Sequence, residues 1–260
     1  MSDVLETGWA LAILAGVLGL VLGSFLNVCT LRWPTDESVV RPPSRCPGCG
    51  SSIRWFDNIP VLSYLVLRGR CRSCGLSISP QYPLVELATG LIWAGAFLQY
   101  GLTFEALRGA LFLTLLLGIA ITDARFYIIP DQFSLGGAVL GLALSPLPGG
   151  LAFLDSLLGA LVGFGLLWLV ARLGGWLLKK DAMGGGDLKM MAMVGAFLGI
   201  PGVLLTLFLG ALLGSVVFGP IAWKTGKLVP FGIFLAAGAA VTWGWGADLI
   251  RWYTDTFLLY

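Results

Sequence analysis

The chain has 260 residues, of which 57% are hydrophobic and only 12% charged, with a mean hydropathy of +0.90. Such usage excludes an ordinary soluble globule and reads as a polytopic membrane protein. The formal net charge of +2 identifies no partner, and the basic residues sit in short loops between apolar runs rather than in a nucleic-acid-binding face. There is no histidine, which removes Ser/His/Asp and Cys/His nucleophilic arrangements and the HExxH metalloprotease helix. Carboxylates are left as the leading hydrolytic groups.

Apolar stretches of membrane-crossing character are expected at Trp9–Leu31, Pro83–Tyr100, Phe104–Thr122, Gln132–Leu147, Leu151–Leu178, Leu188–Ile200, Gly202–Trp223 and Pro230–Ile250. These divide the chain into a first helix (1–31), a polar insert (32–82) and a seven-helix bundle (83–260). The fold class is therefore an all-α polytopic membrane protein with about eight transmembrane helices. Asp3 and Glu6 give the first stretch an acidic front instead of a basic n-region, so it is expected to be retained rather than cleaved as a signal. The 37 glycines lie scattered among Leu, Val and Ala and read as helix-packing residues.

The insert carries Cys46-Pro47-Gly48-Cys49 and Cys71-Arg72-Ser73-Cys74. Two CxxC turns at this separation suit a structural zinc ribbon, with Gly48, Gly50 and Gly75 permitting tight knuckles. Metal binding would supply folding free energy to a unit too small to stabilise itself. Two disulfides or a redox pair are the competing reading, disfavoured in a reducing cytoplasm. Cys29, inside the first stretch, reads as a small packing residue. Between the knuckles, Arg54 to Pro60 either closes a turn at Asp57-Asn58 between two short strands or helps form a cofactor pocket. No glycine-rich nucleotide fingerprint is present there.

Asp123 ends the third stretch. Asp131, after Ile129-Pro130, fits the N-cap of the next helix. Asp187 follows Gly184-Gly185-Gly186, glycines that would let another segment approach the backbone closely. Acids at membrane depth are costly and tend to be functional, so Asp123 and Asp187 are assigned to chemistry and Asp131 to structure. Pairing of Asp123 with Arg125 and simple capping by Asp187 are the structural alternatives. Lys189 could anchor the loop, meet an acidic substrate group, or snorkel to the surface.

Placing the insert in the cytoplasm puts Arg32, Arg41, Arg45, Arg54, Arg68, Arg70 and Arg72 inside. Alternating eight spans adds Arg125, Lys179, Lys180, Lys189, Lys224 and Lys227 to that side. Arg108 and Arg251 fall outside, and Arg172 within a span. Asp123 and Asp187 then share the cytoplasmic face, where two close carboxylates sharing one proton can activate water and protonate a scissile carbonyl without metal or histidine.

Gly23-Ser24-Phe25-Leu26-Asn27-Val28, Cys46-x-x-Cys49, Arg54 to Tyr64, Arg68-Gly69-Arg70-Cys71, Pro80 to Glu86 and the two aspartate segments together resemble the bacterial type IV prepilin peptidase (leader peptidase/N-methyltransferase) family. The resemblance covers nearly the whole chain. It implies a GxGD-type intramembrane aspartic protease in which Gly184, Gly186 and Asp187 match the signature and Asp123 and Asp187 are the catalytic pair. It further implies removal of the basic leader of type IV prepilins or pseudopilins after a glycine, at the cytoplasmic face of the bacterial inner membrane. N-methylation of the new N-terminal residue, usually phenylalanine, from S-adenosylmethionine would follow. Cys46, Cys49, Cys71 and Cys74 fall on the family's zinc-associated four-cysteine motif, and no methyl-donor residues are named by the match. A protease lacking the transferase, a proton- or cation-coupled transporter using the two acids, and a non-catalytic membrane chaperone are the rival readings.

Overall fold

The computed structural model describes residues 2–179, 183–225 and 230–257. Its helices are α1 (Ser2–Arg32), α2 (Leu62–Val66), α3 (Gln81–Tyr100), α4 (Phe104–Phe126), α5 (Asp131–Leu144), α6 (Phe153–Leu178), α7 (Gly185–Thr225) and α8 (Phe231–Phe257). Among the described residues there is no strand, only the isolated bridges Arg45–Ser52 and Arg70–Ser77. Among the described residues five helices, α1, α4, α6, α7 and α8, are long and apolar enough to cross a membrane, and α5 is a shorter apolar helix. The chain forms two compact units, 1–110 and 111–260, with α4 beginning in the first and ending in the second.

In the first unit α1 and α3 run antiparallel. Gly16, Gly19 and Gly23 lie on one face of α1 and meet Ala94, Gly90 and Glu86 in turn, with a β-carbon on Gly23 only 2.8 Å from the Glu86 Cα. Small residues at this spacing let two apolar helices approach where lipid offers no hydrophobic drive for association. The register continues to the helix ends, where the Asn27 amide donates to the Tyr82 carbonyl (3.1 Å).

The insert is built from two copies of one turn. Cys46 N–H donates to Ser51 O and Gly50 N–H to Cys46 O; Cys71 N–H donates to Leu76 O and Gly75 N–H to Cys71 O. Gly50 (φ 68°) and Gly75 (φ 72°) take the left-handed conformation that closes each turn. Arg54 to Pro60 does not make a turn between strands: Trp55–Asn58 is a single 3₁₀ turn. Its conformation is fixed by the side chains. Arg72 grips Asp57 through Nε (2.9 Å to Oδ2) and an outer nitrogen (2.6 Å to Oδ1), while both Arg54 and Arg72 lie over the Phe56 ring.

In the second unit α7 is two rods. Gly199 takes φ 68°, ψ −175°, a conformation open to glycine, and Pro201 follows. Proline lacks the N–H that a continuous helix needs and disfavours helical backbone at Ile200. The first rod packs parallel to α5 (Gly137 on Met193, Gly141 on Phe197) and antiparallel to α6 (Gly163 on Met191, Gly159 on Gly195). The second runs antiparallel to α8, with Gly210 on Leu235, Gly214 on Phe234 and a Thr206–Thr242 hydroxyl contact of 3.2 Å. Gly186 and Gly232, near the starts of α7 and α8, press on the same Ile129 side chain. The chain therefore reverses direction at Gly199, where the sequence separates Leu188–Ile200 from Gly202–Trp223. Phe112, Phe133, Phe197, Met190 and Leu235 fill the core, with Phe112 stacked on Phe197 at 4.7 Å.

Candidate functional site

Asp123 sits on α4 one turn before the helix ends, rather than at its last residue, and is only 6% exposed. Its Oδ2 accepts the Ile233 N–H (3.1 Å), and the Gly232 N–H also faces the carboxylate. These are two of the N–H groups that the first turn of α8 leaves without helical partners, so the helix start is a natural seat for a carboxylate. Gly232 permits it: a β-carbon there would lie 2.9 Å from Asp123 Oδ2.

Asp187 is the third residue of α7, and its carboxylate faces back to the Gly184 N–H just before the helix. This is the reciprocal half of a capping box. Asp187 nonetheless lies near enough to Asp123 for the two to interact electrostatically. Capping and proximity to the second acid are thus both present. Ile129, 8% exposed, touches both Gly186, the neighbour of Asp187 in sequence, and Gly232, which lies against Asp123.

Asp131 is not an N-cap. Pro130 holds that position and offers no side-chain bond, while Asp131 is the first helical residue and pairs with Lys189 at 2.6 Å. The Asp131 side chain is exposed, and Lys189 answers it. Among the described residues neither Asp123 nor Asp187 is in an ion pair. The Arg125 guanidinium lies over the Phe126 ring, 5.5 Å from its centre.

The second centre lies in the first unit. The sulfurs of Cys46, Cys49, Cys71 and Cys74 are all within 4.8 Å of one another, a cluster that can hold a metal ion. Cys46 and Cys74 are 3.8 Å apart, close to the edge of a tetrahedron with about 2.3 Å metal–sulfur bonds. The thiol chemistry favours the thiolate at two of the four, while at Cys74 the lowering effect of the Leu76 N–H is outweighed by desolvation and the neighbouring thiols, which raise it to about 11. Backbone N–H groups of Cys74 and Ser73 lower the Cys71 thiol to about 6, and the Ser51 hydroxyl, 2.9 Å away, leads the groups that lower Cys49. Thiolates are the form that binds metal. Cys29 is buried in α1, away from this cluster.

Several residues escaped the sequence reading. Ile129, Gly232 and Ile233 gave no local signal beyond Pro130 and Pro230 marking helix starts. The knuckle duplication was legible: Arg45-Cys46-x-x-Cys49-Gly50-x-Ser52-Ile53 recurs as Arg70-Cys71-x-x-Cys74-Gly75-x-Ser77-Ile78. Glu86 is buried as Asp123 is, and it lies inside the expected Pro83–Tyr100 stretch. Its Oε2 accepts the Val61 N–H (2.8 Å), and the Ser24 hydroxyl meets the same carboxylate.

Residues 17–100 match the family described as Bacterial Peptidase A24 N-terminal domain, and residues 110–219 match the Type IV leader peptidase family. The chain is 42% identical over 219 residues to the prepilin leader peptidase/N-methyltransferase of Myxococcus xanthus, covering 84% of this chain and 65% of that protein's length. It is 37% identical to the protein of that name from Neisseria gonorrhoeae over 257 residues (89% and 90% of the two chains). With the Bacillus subtilis protein of that name it shares 34% identity over 245 residues (91% and 95%). No solved structure matches the chain. With both halves matched and the Neisseria gonorrhoeae and Bacillus subtilis relatives covered nearly end to end, the chain belongs to the prepilin leader peptidase/N-methyltransferase family.

Proposed function

We propose that the protein removes the leader of type IV prepilins or pseudopilins with Asp123 and Asp187 and then N-methylates the new terminus. The observation that carries the reading is the electrostatic proximity of the two acids, with Asp123 held by the backbone at the start of α8 and Ile129 packed on the glycines beside both. The pair shares one proton. The ionised carboxylate takes a proton from water, the water oxygen attacks the scissile carbonyl, and the protonated partner donates to the carbonyl oxygen. Collapse of the tetrahedral species returns a proton to the departing nitrogen, releasing the leader with a free carboxylate and the mature chain with a free amine. Neither histidine nor metal takes part.

Residues 32–82 serve the methyl-transfer half and 83–260 the proteolytic bundle. Cys46, Cys49, Cys71 and Cys74 hold Zn²⁺, which when bound crosslinks the two knuckles. S-adenosylmethionine is the methyl donor, and the amine freed by proteolysis is the acceptor. The distribution of Lys and Arg supports a cytoplasmic side for the insert and both acids, and the membrane of this reading is the bacterial inner one. A prepilin anchored by its apolar helix, with the basic leader inside, would meet them at the inner headgroups.

The test is a coupled assay of purified protein in lipid vesicles with a prepilin and labelled S-adenosylmethionine. Leader loss followed by label in the mature chain is expected. Asp123→Asn and Asp187→Asn should each leave the prepilin full length, and normal processing by either ends the assignment of the pair. Metal analysis of wild type beside a Cys46→Ser, Cys49→Ser variant tests zinc: equal content in the two would overturn it.

A further inference from the structure

We infer that the segment Trp55–Val66 of the insert is a membrane-surface wedge, its apolar face seated at the boundary between headgroups and acyl chains. The first observation is an uncovered stripe. On α2, Leu62, Leu65 and Val66 are 61%, 64% and 75% exposed, and Trp55 just before it is 82% exposed. Positions i, i+3 and i+4 share one side of a helix. The opposite side is occupied, since Tyr64 packs on Gly69. In water such a stripe is costly, at roughly 25 cal/mol per Å² of apolar surface.

The second observation fixes the depth. The Val61 amide is tied to the Glu86 carboxylate, and Glu86 is the sixth residue of α3. At 1.5 Å per residue its Cα lies roughly 7 Å along the axis from Gln81, beyond Pro83 where the apolar stretch begins. The side chain leans back toward the helix start, which leaves the Val61 amide beside the first turns of α3. On the α1 side Glu86 is level with Gly23, eight residues short of the apolar stretch's end at Leu31. So α2 begins alongside α1, one of the five helices of membrane-crossing length and hydropathy, and the α3 helix packed on it, and not beyond their ends. Val61 itself, φ 61°, is a β-branched residue in a left-handed conformation, and the Glu86 bond helps hold it there.

The third observation is charge. Arg54, Arg68 and Arg70 flank the stripe and are exposed, whereas Asp57 is already gripped by Arg72. Exposed cations around an apolar face with a tryptophan suit an anionic lipid surface, where such faces sink about 5–10 Å. The occupant assigned is therefore phospholipid, not a second copy and not the substrate. The inference rests on α1 and α3 spanning the membrane and is independent of either reaction.

The test places photoreactive p-benzoylphenylalanine at Leu65, and at Ser73 as an exposed control, in the full chain reconstituted in phosphatidylethanolamine/phosphatidylglycerol vesicles. Mass spectrometry after illumination should find a phospholipid adduct at Leu65 and none at Ser73. A Leu65 adduct to another copy of the chain, or to an added prepilin, overturns the assignment. Lipid brominated near the headgroup provides a second reading without a bulky label: wild type should lose a larger share of its tryptophan emission than Trp55→Phe. Equal fractional quenching of the two proteins refutes the wedge even if leader cleavage and methylation are both intact.

Discussion

Gly232→Ala should slow proteolysis while leaving the bundle folded. The added β-carbon would lie 2.9 Å from Asp123 Oδ2, 3.1 Å from its Cγ and 2.9 Å from Ile129 Cδ1, whereas ordinary contact begins near 3.4 Å. The carboxylate must retreat by about half an ångström. Its bond from the Ile233 N–H is already 3.1 Å, and a retreat of that size carries it to about 3.6 Å, beyond hydrogen-bonding distance. A misplacement of about 1 Å can cost about 100-fold in rate, so half of it predicts a loss of about tenfold or more in kcat. Overpacking of this kind costs about 1–3 kcal/mol, which lowers the melting midpoint without abolishing folding. The assay is prepilin cleavage in vesicles at saturating substrate, with a thermal melt alongside. Ile129→Val separates the two contacts, because it removes Cδ1 and leaves the carboxylate contact in place. The Gly232→Ala, Ile129→Val double variant should stay slow. Restored cleavage in the double variant, or Gly232→Ala cleaving within twofold of wild type, would refute the reasoning.

Gly199→Ala forces a side chain onto φ 68°, ψ −175° and should cost about 1–3 kcal/mol, read as a lower melting midpoint; an unchanged midpoint would show that the α7 reversal tolerates ordinary backbone. Asp131→Asn loses only an exposed ion pair with Lys189, worth under about 1 kcal/mol. Its cleavage rate should stay within twofold of wild type, in contrast to Asp123→Asn, and a collapse in rate would move Asp131 into the chemistry. The Arg72 guanidinium bonds to Asp57 and holds its carboxyl below the usual range. With the folded value lowered, the pair's contribution is fully present above the unfolded value of about 3.9 and is lost as pH falls through the lower folded one. Hydrogen exchange at the 55–58 turn, corrected for intrinsic rates, should therefore stay protected down to about pH 4 and loosen below it. Asp57→Asn should exchange faster at neutral pH and show no such step.

The helices were readable because hydropathy and glycine–proline punctuation are local. Phe104 begins both the expected third stretch and α4, Leu178 ends both the expected fifth stretch and α6, and the break at Ile200–Gly202 coincides with the reversal at Gly199. Three features were not readable from local pattern. The Ile233–Asp123 bond joins residues 110 apart, and nothing near either predicts the other. Trp55–Asn58 carries turn residues, yet its conformation depends on Arg72, in the second knuckle. Asp131 had a capping residue's neighbourhood, but Pro130 had already taken the cap position, which left the carboxylate to Lys189. In each case a distant side chain or helix end decided between local options that the sequence left open.

The acid site has a further consequence for how it fails. No single helix carries both carboxylates: Asp123 belongs to the end of α4, Asp187 to the start of α7, and the N–H groups at Asp123 to the start of α8. What brings them together is backbone proximity, Gly186 and Gly232 against one isoleucine, rather than a network of side-chain bonds. Packing of α6 on α7 and of α7 on α8 runs through other contacts, such as Ser156 to the Ala196 carbonyl (2.6 Å) and Thr206 to Thr242. Changes of one methyl group around Ile129 should therefore alter the relation between the acids long before they unfold the bundle. Substitutions along the α6–α7 seam should act in the opposite order, lowering stability first and activity only as the folded fraction falls.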